Sequence, residues 1–290
     1  MQVAVERVVR LRDGRSMGYA QYGSGDGLPV VNAHGGLACR LDVAAADLVA
    51  VEAGIRLISP DRPGVGLSDP QPGRTVGDWA RDVTELLDQI DVDRFAVMGW
   101  SMGGQYAAAL GHALPQRATR VAIIAGALPL TEPGVFDELP TMDRVLTRMS
   151  QRAPWLAAHW FRVMRFAAAV APTLYGRLGA RELGPADGAV IRDEGFGAFA
   201  RMSHEALRQP AGAVEEYRAW MRPRGACRPG RHVGGDARRT RQSGLAASPR
   251  CANPWRYLEY SRGWPLHGAP ALPRDLRGAN ALVKVDAAIG

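Results

Sequence analysis

The sequence predicts an α/β protein, with a mostly parallel sheet covered by helices on both faces and joined to a long helical segment. Three observations predict it. Short apolar runs alternate with helical stretches up to about residue 125. Three of those runs end in glycine-containing turns, and beyond residue 133 the strand-like runs give way to helical stretches rich in Trp, Met and Phe. Such alternation is typical of a parallel sheet, because parallel strands are joined by crossover helices.

The N-terminal elements are each predicted from a short local pattern. Asp13-Gly14 is a hairpin turn signal between two strand-like runs, and Thr75 is suited to cap a helix. That helix has one apolar face, formed by Trp79, Val83, Leu86, Leu87 and Ile90. Strands are expected at 3–11, 16–22, 28–33, 56–59, 95–98 and 121–125, and helices at 41–53, 79–90 and 105–114.

The turns that follow three of these strands carry residue types used in catalysis. The first is His34-Gly35-Gly36, the second spans 61–68 and the third spans 99–103. All three are expected at the carboxyl edge of the sheet, which is where sites form in open α/β sheets.

The third turn reads G-x-S-x-G and places Ser101 between a strand and a helix. A turn this tight leaves room only for small residues, which explains the glycines on either side of the serine. The turn lifts the hydroxyl off the sheet, and the next backbone N–H becomes a donor to an oxyanion. A serine nucleophile also requires a histidine and an acid elsewhere in the chain.

These three motifs, in this order and spacing, resemble the α/β-hydrolase superfamily in its capped branch with a serine nucleophile. The resemblance extends to about Trp220. It implies that Ser101 is the nucleophile and that the backbone N–H groups of Gly36 and Met102 form the oxyanion hole. The chain then divides into an α/β-hydrolase core at 1–132, a helical cap at 133–221 and an Arg-, Gly- and Pro-rich tail at 222–290.

Other residues of the motifs are expected to be structural. In this family the histidine at the position of His34 usually shapes the oxyanion loop and is not the base. Asp61 and Arg62 are expected to tie their own turn together. Most large side chains of the predicted cap are expected to pack between cap and core, and a minority to line a substrate pocket. These side chains are Trp155, Trp160, Phe161, Met164, Phe166, Met202 and Trp220.

The identity of the nucleophile narrows the chemistry. Haloalkane dehalogenase and epoxide hydrolase relatives place Asp at this turn, because their intermediate is an alkyl ester. Ser101 implies instead an acyl-enzyme formed from an ester, lactone, thioester, amide or activated C–C bond of a small molecule. No cofactor is expected, since a triad supplies its own nucleophile and base. No metal site is expected either, because the spacing of Cys227, His232 and Cys251 matches no standard zinc pattern.

The acid and the histidine of the triad are not convincingly present in this reading frame. The family places the acid after one further strand and the histidine before the last helix. No strand-like run precedes Asp236, and His232 and His267 lie in unpatterned sequence. Three other histidines precede the place where the family puts its base: His112, His159 and His204. The last strands are therefore expected to be missing or disordered, which would leave the strand at 121–125 as an unprotected edge prone to aggregation.

A change of reading frame accounts for the tail. The codons implied by 263–268, read one base later, can encode Gly-Gly-His-Phe-Met, which is the histidine motif of the family. The same shift over 230–253 can encode a strand and an acid-bearing turn. Because one offset restores both missing motifs in order, we hypothesise a one-base frameshift between about Met221 and Gly230. The alternative is a natural basic tail.

The charge of the chain is concentrated in this tail. The net charge is +7 over 290 residues, but 222–290 carry +9 and the remainder −2. The arginines at 222–241 permit weak, salt-sensitive binding to nucleic acid, but few aromatics accompany them and no known module is present, so no such partner is expected. No membrane partner is expected, because no apolar run reaches transmembrane length. A cytoplasmic location is expected, because the N-terminus lacks the order of a secretory signal. The oligomeric state is not predicted.

Three functions stay open at this point. The favoured one is a serine hydrolase that acts through Ser101. The second is a catalytically dead protein of the same fold, which lacks the triad histidine and acid because its C-terminus is frameshifted; loss of the base costs roughly a million-fold in turnover. The third is a nucleic-acid-binding protein that uses the tail.

Overall fold

The computed structural model describes residues 5–126, 130, 134–222 and 282–285. The tail that we interpret as frameshifted therefore lies almost wholly outside the described residues. So do the following residues discussed above: Cys227, His232, Asp236, Cys251 and His267.

Seven described strands form one sheet in the order β1-β2-β4-β3-β5-β6-β7. The three pairs at its centre, β4 with β3, β3 with β5 and β5 with β6, are parallel. The outer pairs are antiparallel. The strands are β1 (Val5–Arg10), β2 (Ser16–Gly23), β3 (Leu28–Ala33), β4 (Ile55–Pro60), β5 (Phe95–Trp100), β6 (Ala118–Ile124) and β7 (Leu282–Val285).

The described helices fall into two groups. Three alternate with the strands: α1 (Asp47–Glu52), α2 (Trp79–Gln89) and α3 (Gly103–Ala113). The others follow one another without an intervening strand: α4 (Val135–Glu138), α5 (Thr141–Arg152), α6 (Pro154–Val170), α7 (Pro172–Glu182), α8 (Pro185–Glu194), α9 (Phe196–Ala206) and α10 (Pro210–Met221). The predicted fold class, a mostly parallel sheet covered by helices and joined to a helical segment, is confirmed.

The apolar face predicted for α2 is buried. Trp79, Val83, Leu86 and Leu87 are inaccessible to solvent, and Ile90 packs against the same core just beyond the end of the helix. Thr75 caps a short 3-10 turn that leads into α2. Its backbone N–H and its hydroxyl both donate to the Asp78 carboxylate, at 2.8 and 2.9 Å.

The helix expected at 41–53 is shorter than predicted. A 3-10 turn spans Ala44–Ala46 and α1 begins only at Asp47. The preceding residues are held in a turn, because the carboxylate of Asp42 accepts hydrogen bonds from β3 and from the end of β5. The apolar content of this stretch predicted a helix from its first residue. The hydrogen bonds of Asp42 instead hold its first residues in a turn.

The expectation that β6 would be an unprotected edge is wrong for the described strands. β7 pairs with it in antiparallel register from Val121 opposite Val285 to Ile124 opposite Leu282. The short segment at 282–285 thus supplies backbone partners along one side of β6. We expected the last strands to be missing or disordered. One strand, four residues long, is instead present and runs antiparallel to β6.

The large side chains of the helical segment are divided between core and surface. Phe161 and Trp220 are buried in the main core, while Met164 and Met202 are half-buried. The other three are exposed, with 73% of Trp155, 44% of Trp160 and 67% of Phe166 accessible. The exposed side of α6 also carries His159 and Arg162, which lie at helical spacing with Trp155 and Phe166, so the sequence marks this side as partly polar.

Within the described residues no helix is long and apolar enough to cross a bilayer. The same residues contain no group of three or more potential ligands placed to hold a metal ion.

Candidate active site

The three predicted turns meet at the carboxyl edge of β3, β4 and β5. Ala33, the last residue of β3, lies opposite Gly99 of β5. The turn after β4 reaches the same point, because the backbone N–H of Arg62 donates to Nε2 of His34 at 3.3 Å. Three segments distant in sequence are thus brought together, as the parallel topology requires.

Ser101 occupies a strained turn between β5 and α3. Its φ is +52°, in the left-handed region that side-chain-bearing residues seldom adopt. The turn is fixed at both ends, since the Ser101 N–H donates to the Ile124 carbonyl at 3.1 Å and the Ser101 carbonyl accepts the Gly104 N–H at 3.0 Å. The side chain is half-buried and lies beside the N-terminus of α3, where the helix dipole favours negative charge.

The glycines on either side of the serine are required by backbone contact. A Cβ at Gly99 would lie 2.3 Å from the Gly103 carbonyl oxygen. A Cβ at Gly103 would lie 2.0 Å from the carbonyl oxygen of Ala33. Neither oxygen can move away without disrupting a strand or a helix. The contact distances therefore supply the physical reason for the two glycines of the G-x-S-x-G pattern.

The two residues expected to form an oxyanion hole are neighbours. A Cβ on Gly36 would lie 3.2 Å from Cε and 3.8 Å from Cβ of Met102. The loop bends sharply just after Gly36, because Leu37 has a φ of +55°. Gly36 and Met102 thus face each other beside Ser101.

His34 is buried and has both ring nitrogens engaged. Its Nδ1–H donates to the Gly35 carbonyl at 3.0 Å, and its Nε2 accepts the Arg62 N–H. Burial, together with the nearby charge of Arg62, holds the pKa of His34 well below its usual range. A neutral imidazole with no free lone pair is not available as a base. This arrangement supports the structural role expected for His34.

The side chain of Arg62 does not hold its own turn together, as was expected, but joins the loop after β3 to the helical segment. Its guanidinium donates to the carbonyl oxygens of His34 and, at 2.7 Å, Gly35. The same group forms a buried ion pair with Glu216 of α10 and lies 4.5 Å from the ring centroid of Tyr106. The arginine is fully buried, so the pair and the carbonyls satisfy a charge that would otherwise be costly.

Asp61 holds the turn after β4 together. Its carboxylate accepts the backbone N–H groups of Arg40 and Leu67 at 2.7 and 2.9 Å and pairs with the Arg40 guanidinium at 3.0 Å. Its own carbonyl accepts the Ser68 hydroxyl. These contacts are those expected of a structural residue.

None of the four histidines in the described part of the chain hydrogen-bonds to Ser101. His112 lies in the last turn of α3, at the opposite end from the serine. His159 is exposed on α6, and Nδ1 of His204 lies 3.1 Å from the Arg165 carbonyl. The base and the acid of the triad therefore stay unassigned among the described residues.

Two polar residues at this edge were not singled out from the sequence. Asp42 accepts hydrogen bonds from the Gly35 backbone and from the residue before Ser101, and Glu216 pairs with Arg62. Neither belongs to a motif. A carboxylate that follows a glycine-rich turn by a few residues is a weak signal, and Glu216 is one of two adjacent glutamates on a helix.

Comparison with known proteins shows which family the chain resembles. The family model described as alpha/beta hydrolase fold matches residues 29–189, which is more than half of the chain. A non-heme chloroperoxidase of Streptomyces lividans is 32% identical over 142 residues, which is 45% of this chain and 51% of that protein. A 2-hydroxy-6-oxononadienedioate/2-hydroxy-6-oxononatrienedioate hydrolase of Cupriavidus pinatubonensis is 34% identical over 106 residues, or 36% of each protein. The chain thus spans about a third to a half of these curated relatives.

Solved structures show a likeness of fold. A thermophilic esterase from Thermogutta terrifontis matches with a TM-score of 0.51 and 20% identity, over 76% of this chain and 72% of the esterase. The epoxide hydrolase CorEH matches with a TM-score of 0.52 and 18% identity, over 76% and 73%. The family match covers all three motifs, and those motifs meet at one edge of a sheet of the corresponding fold. The chain therefore belongs to the α/β-hydrolase fold family.

Proposed function

We propose that this protein is a serine hydrolase that acts on an ester, lactone or related acyl bond of a small molecule through an acyl-enzyme at Ser101. The observation that carries the proposal is the left-handed Ser101 in a turn closed by Gly99 and Gly103, with Gly36 packed against Met102. Strain of this kind is concentrated at functional sites.

The chemistry follows from this arrangement. The Ser101 hydroxyl attacks the acyl carbon, and the carbonyl oxygen becomes an oxyanion. The backbone N–H groups of Gly36 and Met102 stabilise that oxyanion, and each such donor contributes roughly 3 kcal/mol to the transition state. A histidine removes the serine proton and returns it to the leaving group, oriented by an acid. Neither partner is assigned in this chain, because the motifs that would carry them arise only when the region after residue 222 is read one base later.

Two features support the choice of reaction class. A serine rather than an aspartate at the turn favours an acyl intermediate over an alkyl ester. The curated relatives include a hydrolase that by name acts on a 2-hydroxy-6-oxononadienedioate or -trienedioate. We take a small organic acyl compound as the substrate class, without choosing between an ester, a lactone and a related acyl bond.

We further propose that the helical segment acts as a cap at 133–221 over a core at 1–132. Its last helix, α10, is joined to the oxyanion loop through Glu216 and Arg62, so the segment is anchored beside the nucleophile. The predictions of a cytoplasmic location and of no nucleic-acid partner are retained. If the full chain bound nucleic acid and a chain truncated after residue 222 did not, the prediction of no nucleic-acid partner would be contradicted.

The alternative function is a catalytically dead protein of this fold. The comparisons, which match hydrolases, do not favour it. Its support is that no histidine among the described residues is bonded to Ser101, together with the frameshift interpretation of 222–290. Sequencing the gene around codons 221–230 and comparing it with full-length relatives tests that interpretation directly.

A fluorophosphonate probe tests the proposed function. Three proteins are compared: the chain as given, the chain with its tail restored to the shifted frame, and the Ser101→Ala variant of the restored chain. We expect labelling of the restored chain that is lost in its Ser101→Ala variant, and slower labelling of the chain as given. A restored, folded chain that does not label at Ser101 would contradict a serine hydrolase.

A further inference from the structure

Asp42 lies between the oxyanion loop and the nucleophile turn and contacts both. Its Oδ2 accepts the indole Nε1–H of Trp100 at 2.7 Å and the backbone N–H of Gly35 at 3.3 Å. Its Oδ1 accepts Nδ2–H of Asn32 at 2.7 Å. One carboxylate therefore satisfies donors from the end of β5, from the loop after β3 and from β3 itself.

The bonded residues stand next to the reacting groups in the chain. Gly35 immediately precedes Gly36, and Trp100 immediately precedes Ser101. The two also touch directly, since a Cβ at Gly35 would lie 2.6 Å from Cζ2 of the Trp100 ring. A shift of Asp42 would therefore displace Gly35 and Trp100, and with them their chain neighbours Gly36 and Ser101.

The donors on β3 and its loop have little choice of partner. Asn32 is fully buried, and its amide nitrogen is shared between Asp42 and the Ser59 hydroxyl, which lies at 3.0 Å. Buried donors without acceptors cost about 1 to 3 kcal/mol each, so the group of contacts favours one geometry.

We propose that Asp42 is a positioning residue that fixes the oxyanion loop against the nucleophile turn by holding the Gly35 backbone and the Trp100 indole on one carboxylate. The proposal rests on the function proposed for Ser101 and Gly36. Asp42 takes no part in bond making; it sets the separation of the groups that do, which is the quantity on which oxyanion stabilisation depends.

The charge of Asp42 is sensitive to pH in the physiological range. Burial raises the pKa of Asp42 to about 6, although hydrogen bonds from Trp100, Asn32 and Gly35 and the charge of Arg62 oppose the rise. The other titratable groups coupled to it are Tyr22 and Cys39, whose pKa values are both raised, mainly by burial, so they stay neutral near pH 6. Asp42 is thus the group of this set that changes charge there, and protonation turns one acceptor oxygen into a donor.

The geometric part of the proposal is tested by NMR, with no need for turnover. The indole N–H signal of Trp100 is assigned with a Trp100→Phe variant and followed from pH 4.5 to 8. We expect the signal to titrate with a midpoint of about 6, which is the pKa of the carboxylate it donates to. In Asp42→Asn that titration is lost and the Gly35 amide exchanges with solvent faster. An unchanged Trp100 titration together with unchanged Gly35 exchange overturns the proposal, whatever the activity of the chain.

The functional part is tested with p-nitrophenyl acetate on any form of the chain that labels at Ser101. We expect Asp42→Asn to lower kcat roughly 10- to 100-fold with little change in KM, because a displaced oxyanion donor affects the transition state more than binding. Combining Asp42→Asn with Trp100→Phe should cost less than the sum of the two changes, since both break one contact.

The matched control is Asp26→Asn, which removes an exposed carboxylate that accepts a hydrogen bond from the hydroxyl of Ser24 in a loop. Its kcat should equal that of the unaltered protein. A labelling, folded Asp42→Asn variant with unchanged kcat overturns the positioning role and leaves the proposed function intact. If no form of the chain labels at Ser101, the proposed function fails, and the NMR and exchange results alone decide whether Asp42 fixes the two turns.

Discussion

The carboxyl edge of the sheet and the outer face of α6 are built in opposite ways. At the edge, glycines fit against backbone oxygens with no room for a methyl group, and charged side chains such as Arg62 are fully buried and paired. On α6, large apolar side chains such as Trp155 and Phe166 are exposed. The contrast teaches that the turns that hold the proposed catalytic groups are fixed by backbone contact, whereas the outer face of α6 is not. Stability should therefore respond to small changes at the edge and tolerate large ones on the outer face of α6.

The largest expected effect comes from adding one methyl group at the nucleophile turn. Gly103→Ala places a Cβ about 2.0 Å from the Ala33 carbonyl oxygen, so β3 and α3 must separate. We expect a loss of at least about 4 kcal/mol of unfolding free energy, or no folded protein. Thermal and urea unfolding measure it. Gly25→Ala is the control, since a Cβ there meets nothing within 4 Å and should change stability by less than about 0.5 kcal/mol.

The next largest effect is expected at the buried ion pair. Glu216→Ala leaves the Arg62 guanidinium buried without its carboxylate, which should cost about 3 to 5 kcal/mol in unfolding free energy. Glu194→Gln removes an exposed carboxylate as a control and should be close to neutral. A small effect of Glu216→Ala would mean that the carbonyls of His34 and Gly35 suffice to stabilise Arg62.

Two phenylalanines of α6 sharpen the comparison within one helix. Phe161→Ala should lower the unfolding free energy by about 3 to 5 kcal/mol, because the ring is buried and stacks on Tyr217. Phe166→Ala should change it by less than about 0.5 kcal/mol, because that ring is 67% exposed. Equal costs in a urea unfolding experiment would show that the outer face of α6 is covered in solution.

The smallest effect is the contribution of Asp42 to pH dependence. Its pKa is about 6 in the folded protein and about 3.8 in the unfolded chain, so between these values the folded protein binds more protons. The unfolding free energy should then fall as pH rises from about 4 to 6, by up to roughly 3 kcal/mol, and be constant above that range. Urea unfolding at several pH values, compared with Asp42→Asn, isolates this contribution. A difference between the two proteins that does not change with pH would refute it.

Sequence reasoning located β1 to β6, the buried face of α2 and the three turns, because each depends on local rules. Ser101 was identified since only a tight strand-to-helix turn requires glycine on both sides of a serine. Asp42 was missed because its role is defined by donors distant in sequence, the Trp100 indole and the Asn32 amide. The exposure of Trp155 and Phe166 was missed for a different reason, since their size outweighed the polar signal of His159 and Arg162 on the same side of α6.

The close backbone contacts at Gly99 and Gly103 have a consequence for the gene. All glycine codons share their first two bases, so any change at either base replaces glycine by a residue with a Cβ or by a stop. Only third-base changes are silent at these two codons. The nucleophile turn is therefore intolerant of substitution at the level of single nucleotides, even though both glycines act there only by leaving space.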